Sequence, residues 1–297
     1  MSRASLALAL LLAATGICHA QQEVEWKQTI NTPKGVSMPV DRADILGIEL
    51  GDSYADAKAK LLKLYGEGVQ PKAAVLTEEQ RRRNRFSDTS APEPLAEEKS
   101  VFRFQPQGSA LMMTASYVAK LTMKRETKGV TDRAVGEEIK VFLSAPASGH
   151  QVIGIERYIN YYTDGDQPRV SEVLAQVNAK MKAGPAVRMV SDQGHYTYQF
   201  DNGTFVLDES PLGPTRCYPQ HTTTDAREVP NINRTGTCDA MLFIKIGFGI
   251  SRDHARFIQF VLSDNERAKA NLSADFTFVR DYIRGLGERT RGAPPKL

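Results

Sequence analysis

Residues 109–126, "SALMMTASYVAKLTMKRE", alternate apolar and polar side chains. Leu111, Met113, Ala115, Tyr117, Ala119, Leu121 and Met123 fall on one side of an extended chain, with Thr114, Ser116, Lys120, Thr122 and Lys124 on the other. A period of two belongs to a β-strand, and one apolar side requires a sheet buried on one face. Neighbouring strands are close by. "EEIKVFLSAP" and "HQVIGIERYINYY", parted by "APASG", read as a hairpin. "HYTYQFDNGTFVL" holds two strands around Asp201-Asn202-Gly203, a strong turn signal, and "AMLFIKIGFGISRDHARFIQFVLSD" supplies another hairpin.

Helical spacing occurs three times. Ser53 to Tyr65 places Tyr54, Ala57, Leu61 and Leu64 on one stripe, with Lys58, Lys60 and Lys63 outward. Ser171 to Lys182 does so with Val173, Leu174, Val177 and Met181, and Ser273 to Leu286 with Phe276, Val279, Ile283 and Leu286. The fold class is therefore α+β, with helices packed on one face of antiparallel sheets. "IKVFLSAPASGHQVIGIERYIN" and "FIKIGFGISRDHARFIQFVLSD" share strand, short turn with histidine, and strand, and each leads to a serine-started helix. Ser53, Ser171 and Ser273 are spaced by 118 and 102 residues, which implies tandem duplication of a helix-plus-sheet unit. The expected units are 43–165 and 166–287, after an extended leader over 21–42 and before a flexible tail over 288–297. The polar stretch 86–100 reads as an exposed loop.

The first twenty residues carry Arg3, an apolar run from Leu6 to Ala14, and small residues ending at Ala20. This is the pattern of a signal peptide cleaved after Ala20, which implies a periplasmic or secreted protein. About a dozen apolar residues stand together where a span needs roughly 20. No transmembrane segment is expected. The remaining chain has 37 basic and 35 acidic side chains, a balance that gives no footprint for nucleic acid. The basic run Arg81 to Arg85 follows Thr77-Glu78-Glu79-Gln80 and reads as a short solvated helix. Export leaves Cys217 and Cys238, an even pair expected to form one disulfide around a polar loop, worth about 3 kcal/mol in loop entropy.

"GIELGDSYADAKAKL", residues 47–61, poses a choice between a phosphate-cradling loop and a helix entrance. A P-loop sets a lysine and a hydroxyl after its last glycine, whereas Gly51 is followed by Asp52, a negative charge where an anion would sit. Ser53 with Asp56 three residues on is a capping-box arrangement, so a helix entrance is expected. The stretch resembles the Gly-[Ile/Val]-x-Leu-Gly-x-[Ser/Thr] helix start of secreted proteobacterial proteins. It is distantly similar to repeats of the outer-membrane assembly lipoprotein BamE and of β-lactamase inhibitory proteins. That resemblance implies helices on one face of an antiparallel sheet whose exposed face or edge binds another protein. Asp52 stands where those sequences carry methionine.

The candidate catalytic groups are His150, His195 and His254, with Ser148 and Ser251 nearby in sequence. Neither serine lies in a Gly-x-Ser-x-Gly elbow, and no cofactor or metal site is expected. The leading expectation is a non-enzymatic envelope module that binds a protein or ligand through a sheet face or the junction of the halves. The alternative is an envelope hydrolase or metal-dependent enzyme near His150, His195 and His254. In "QVIGIERYINYY" the isoleucines share a side, so Tyr158, Asn160 and Tyr162 form the candidate binding face. Intact mass of the exported chain should begin at Gln21, with no free thiol after denaturation; a thiol count of two excludes the Cys217–Cys238 clasp.

Overall fold

The runs of alternating residues pair into one ten-stranded sheet rather than two. The computed structural model describes residues 22–31, 38, 42–68, 94–105, 112–206 and 238–289. Residues 1–21, the run Thr77 to Arg85, Cys217 and the tail from 290 lie outside them. The strands are β1 (Gln22–Glu23), β2 (Asp44–Ile45), β3 (Ile48–Glu49), β4 (Ala96–Phe104), β5 (Met113–Lys128), β6 (Ala134–Leu143), β7 (Val152–Tyr161), β8 (Ala186–Val190), β9 (Gln193–Asp201), β10 (Thr204–Val206), β11 (Ala240–Phe248) and β12 (Ala255–Asp264). The helices are α1 (Tyr54–Glu67), α2 (Val170–Met181) and α3 (Asn265–Arg289).

The antiparallel order is β4-β5-β6-β7-β12-β11-β9, with β8 and β10 both on the far edge of β9. β1 runs parallel to the start of β5, and β2 and β3 form a separate hairpin. β7 and β12 meet in the middle, from Phe257 opposite Asn160 to Ser263 opposite Gly154.

α1 and α2 lie on one face. Ala57, Leu61, Val170 and Met181 share a core with Leu121, Met123, Ile139, Val141, Ile155, Tyr198, Ile244 and Leu262. Tyr198 also donates to Asn178 Oδ1 on α2 at 2.6 Å. α3 takes the opposite face. Alternation turns Phe142 away from Val141, and Phe142 packs with Ile153 and Ala268 of α3. Further along, Phe276, Phe278 and Tyr282 cover Ala115 and Tyr117 together with Trp26.

β5 serves both faces because it is bulged. Glu98 pairs with Lys120 and Lys99 with Val118, leaving Ala119 as the extra residue. The alternation reverses there. Met113, Ala115 and Tyr117 pack in the cluster under α3, while Leu121 and Met123 sit in the core under α1. The single-sided strand expected from residues 109–126 is corrected accordingly.

The helix starts repeat in hydrogen-bond detail. Before α1, Tyr54 N–H donates to His150 O (2.9 Å) and Val152 N–H to Asp52 O (2.8 Å), with Ser53 bridged to Gln151. Before α2, Val170 N–H donates to Asp253 O (2.8 Å) and Ala255 N–H to Pro168 O (3.0 Å), with Arg169 bridged to His254. α1 is thus tied to the tip of the β6–β7 hairpin and α2 to the tip of the β11–β12 hairpin. α1 is capped as expected, Ser53 Oγ accepting from Asp56 N–H at 3.1 Å. α2 begins one residue earlier than Ser171, behind Arg169 without a side-chain cap. α3 does not start at Ser273: Asp264 Oδ1 takes Arg267 N–H at 2.8 Å, and Ser273 lies inside the helix. The expected loop 86–100 also needs revision, since residues 96–100 open β4. Its exposed edge carries Glu97, Glu98 and Lys99, so no apolar alternation marked it.

Gly47 and Gly51 both have positive φ, +80° and +86°, but only Gly51 is crowded. A Cβ there would meet the Arg267 guanidinium at 3.1 Å, whereas nothing lies within 4 Å at Gly47. Gly51→Ala should therefore cost about 2–4 kcal/mol and Gly47→Ala about 1 kcal/mol, read by urea unfolding; equal losses would mean Arg267 yields freely.

Candidate functional site

Alternation on β7 sends Ile155, Arg157 and Ile159 towards α1 and α2, and Glu156, Tyr158 and Asn160 to the other face. On that face the β7–β12 seam carries an aromatic row. Tyr158 is 37% exposed and stacks on Phe257 of β12, ring centroids 5.6 Å apart. Lys245 of β11 holds its ammonium 5.8 Å from the Phe257 ring, and His195 of β9 meets Phe243 edge-on at 5.4 Å. Phe257 lies flat because its neighbour is Gly247, where a Cβ would come within 2.0 Å of the ring. Tyr162, 60% exposed, similarly rests its hydroxyl over Gly136. Tyr158, Asn160 and Tyr162 are therefore brought to one face. The sequence reading missed Phe257, Lys245 and His195 as their companions. Their signal was hidden because β12 is apolar on both sides: Ile258, Phe260 and Leu262 on one, Phe257 and Val261 on the other.

Charge divides this face. On the β4–β6 side acids and bases neutralise one another: Lys120 with Glu98 (2.5 Å), and Glu138 with Lys124 (3.5 Å) and Lys140 (3.6 Å). A shallow hollow of about 80 Å³ lies between Glu138, Lys140, Glu156, Tyr158 and Gln259. Beyond the seam, Phe257, Gln259, Phe243, Lys245, Thr197 and His195 include no carboxylate. Burial, then Lys245 and Arg188, holds the His195 pKa below the usual histidine value, so the ring is neutral. His195 Nε2 and Gln199 Oε1 are buried atoms without a hydrogen-bond partner among the described residues. Burial raises the Tyr158 pKa, so its hydroxyl keeps its proton.

The three histidines of the enzymatic alternative do not share partners. His150 stacks on Tyr54 at 4.8 Å and donates from Nε2 to Val118 O at 2.7 Å; burial lowers its pKa. His254 meets Ser251 Oγ through Nδ1 at 3.0 Å, but that oxygen also accepts from Asp253 N–H within the same turn. His195 stands on the opposite side of β9 from α1 and α2. Among the described residues no three His, Cys, Asp or Glu groups are placed to hold a metal ion. Cys238 is buried beside Met241, with Asn265 Nδ2 at 3.4 Å from its sulfur.

One carboxyl group has the perturbed environment of an active-site acid. Asp275 is fully buried, and burial pushes its pKa up to about 7 against opposing hydrogen bonds. Both oxygens are engaged by backbone: Ala145 N–H at 2.8 Å and Ser148 N–H at 3.0 Å, in the 3-10 turn Pro146–Ser148 of the β6–β7 hairpin. It fastens α3 to that hairpin and faces no substrate space.

The chain matches no protein-family model, no curated protein and no solved structure. Among the described residues no helix is long and apolar enough to cross a membrane.

Asp275 sets a pH dependence with a definite sign. Its folded pKa exceeds the unfolded value near 3.9, so the folded state holds the extra proton and stability falls as pH rises from about 4 to about 7. The expected slope is at most about 1.4 kcal/mol per pH unit. Urea midpoints across this range for the parent and Asp275→Asn should differ by that slope. The variant should also lose about 1–3 kcal/mol, because its amide NH₂ faces a backbone N–H. Parallel profiles would remove Asp275 as the cause.

Proposed function

We propose that this chain is an exported, non-enzymatic binding module of the bacterial envelope. It holds a partner protein on the side of the sheet opposite α1 and α2, where α3 leaves the β7–β12 seam uncovered, between two copies of one duplicated unit. The observation that supports this most is the row Tyr158–Phe257–Lys245, which sets two aromatic rings and a cation side by side on one face. Aromatic side chains on a rigid sheet offer large contact area with little entropy lost on docking. Export and a Cys217–Cys238 clasp belong to the same reading; Cys238 is disulfide-bonded, in keeping with an oxidising compartment.

The duplication is supported by the matching hydrogen bonds before α1 and α2 and by strand orders that run outward in mirror sequence from the seam. The resemblance to BamE and β-lactamase inhibitory protein repeats points to the same mode of action, with a sheet face turned to another protein.

The test is capture of envelope proteins by the tagged mature chain, compared with Tyr158→Ala, Tyr162→Ala and Lys245→Glu variants. A specific partner should be lost in Tyr158→Ala and Lys245→Glu while stability changes by less than about 1 kcal/mol. Phe257→Ala should instead cost about 3 kcal/mol, because the ring packs on Gly247. Capture unchanged in all the surface variants moves the binding surface elsewhere.

A further inference from the structure

The helix-covered side of the seam contains a cavity of about 140 Å³ whose floor is the β7–β12 pairing, where Arg157 lies directly opposite Phe260. Val177 and Met181 of α2 form one wall, and Ile45 of the β2–β3 hairpin forms the other. Lys180 of α2 is bound to Asp44 of the hairpin at 2.8 Å, which fixes the two walls relative to each other.

Its polar groups are unevenly matched. Glu137 is buried between Arg125 and Arg157, each donating through Nε. Arg125 also donates from Nη1 to Leu64 O in the last turn of α1. Arg157 makes no such second bond: among the described residues nothing accepts from its Nη1 or Nη2, and its guanidinium carbon stands 6.0 Å from the Phe260 ring centroid. Arg125, Arg157 and Lys180 against Glu137 and Asp44 leave one positive charge uncompensated. A guanidinium with a vacant donor edge, set in an apolar hollow, matches a carboxylate that carries an apolar tail. Size narrows the tail, since an engineered cavity of about 150 Å³ accepts benzene.

We propose that this cavity binds a small monocarboxylate with an aromatic or branched aliphatic tail, its carboxylate on Arg157 and its tail over Phe260 and Leu262. This site lies on the opposite side of the sheet from the proposed partner face, so either can fail without the other.

Benzoate and 3-methylbutanoate are the probes, titrated into the mature chain and followed by amide chemical shifts. Both should saturate with Kd on the order of 1 mM, as expected for fewer than ten heavy atoms. Benzamide, equal in shape but uncharged, should bind at least about tenfold more weakly. Val177→Phe fills the cavity while leaving Arg157 and Glu137 in the sequence, and should abolish binding with the melting temperature retained. Arg157→Lys keeps a cation beside Glu137 while removing the guanidinium fork, and should weaken benzoate about tenfold; it decides the matter if Val177→Phe does not fold. No saturation below about 20 mM benzoate, equal affinity for benzamide, or full affinity in folded Val177→Phe overturns the proposal.

Discussion

β7 and β12 each close an antiparallel run of strands, β4 to β7 and β9 to β12, and alone each would present a row of unpaired backbone groups. Their pairing removes both edges at once and makes a continuous core out of two partial ones. Ile155 and Ile159 of β7 line up with Leu262 and Ile258 of β12, so the apolar stripe under α1 runs without a break to the stripe under α2. Each such side chain contributes about 1.5–3 kcal/mol relative to exposure. A slip of one residue at this seam would turn Ile159 to water and Tyr158 into the core. Burial of Glu137 between two arginines adds a further constraint, because leaving any of these charges unpaired in the core is costly.

The glycine-rich stretch 47–53 joins the seam to the rest. Asp52 is fully buried, accepting from Glu49 N–H at 2.8 Å and from Lys60 at 2.5 Å, while Gly51 leaves room for the Arg267 guanidinium. Arg267 is held by Asp264 and donates to Gln151 Oε1 at 3.1 Å, so the start of α1, the tip of the β6–β7 hairpin and the start of α3 close on one buried polar group. The start of α2 meets a similar packing problem in reverse. There Gln167 occupies the place of Gly51, and Gly249 on the hairpin gives way, with Gln167 Oε1 accepting from Ile250 N–H at 3.1 Å. The two contacts are alike although their residues are not.

Much of the fold was legible because it rests on local periodicity. The strands of both hairpins, the Asn202-Gly203 turn with φ of 49° and 72°, and the Ser53 cap all follow from near-neighbour chemistry. What stayed hidden was non-local. The face reversal at Ala119 arises from how β4 registers on β5, and nothing in "SYVAKL" marks it. The early start of α3 depends on Asp264, a strand's last residue acting as a cap, while Ser273 offered a more familiar signal. Of the site, Tyr158 and Tyr162 could be read from alternation on β7. Phe257 and Lys245 could not, since their relation to Tyr158 exists only once β12 and β11 are laid beside β7.

The position of α3 decides where the open face lies. Had it followed α1 and α2 onto the same side, the opposite face would be bare along its whole length. Instead its long run carries Ala268 over Phe142 and Ile153, and then Phe276, Phe278 and Tyr282 over the first half of β5. β1 and Trp26 cover the same end, the indole donating to Ser116 O at 2.9 Å. Apolar cover is thus concentrated over β5 to β7, and the uncovered parts of β4 to β6 present mutually neutralised charges, a surface with little to gain from a partner. Exposed aromatic area is left to the seam. There glycines at 136 and 247 permit tyrosine and phenylalanine rings to lie on backbone rather than on side chains. A ring supported in this way stays flat and ordered while one side faces outward, the condition under which an exposed aromatic can bind with little loss of entropy.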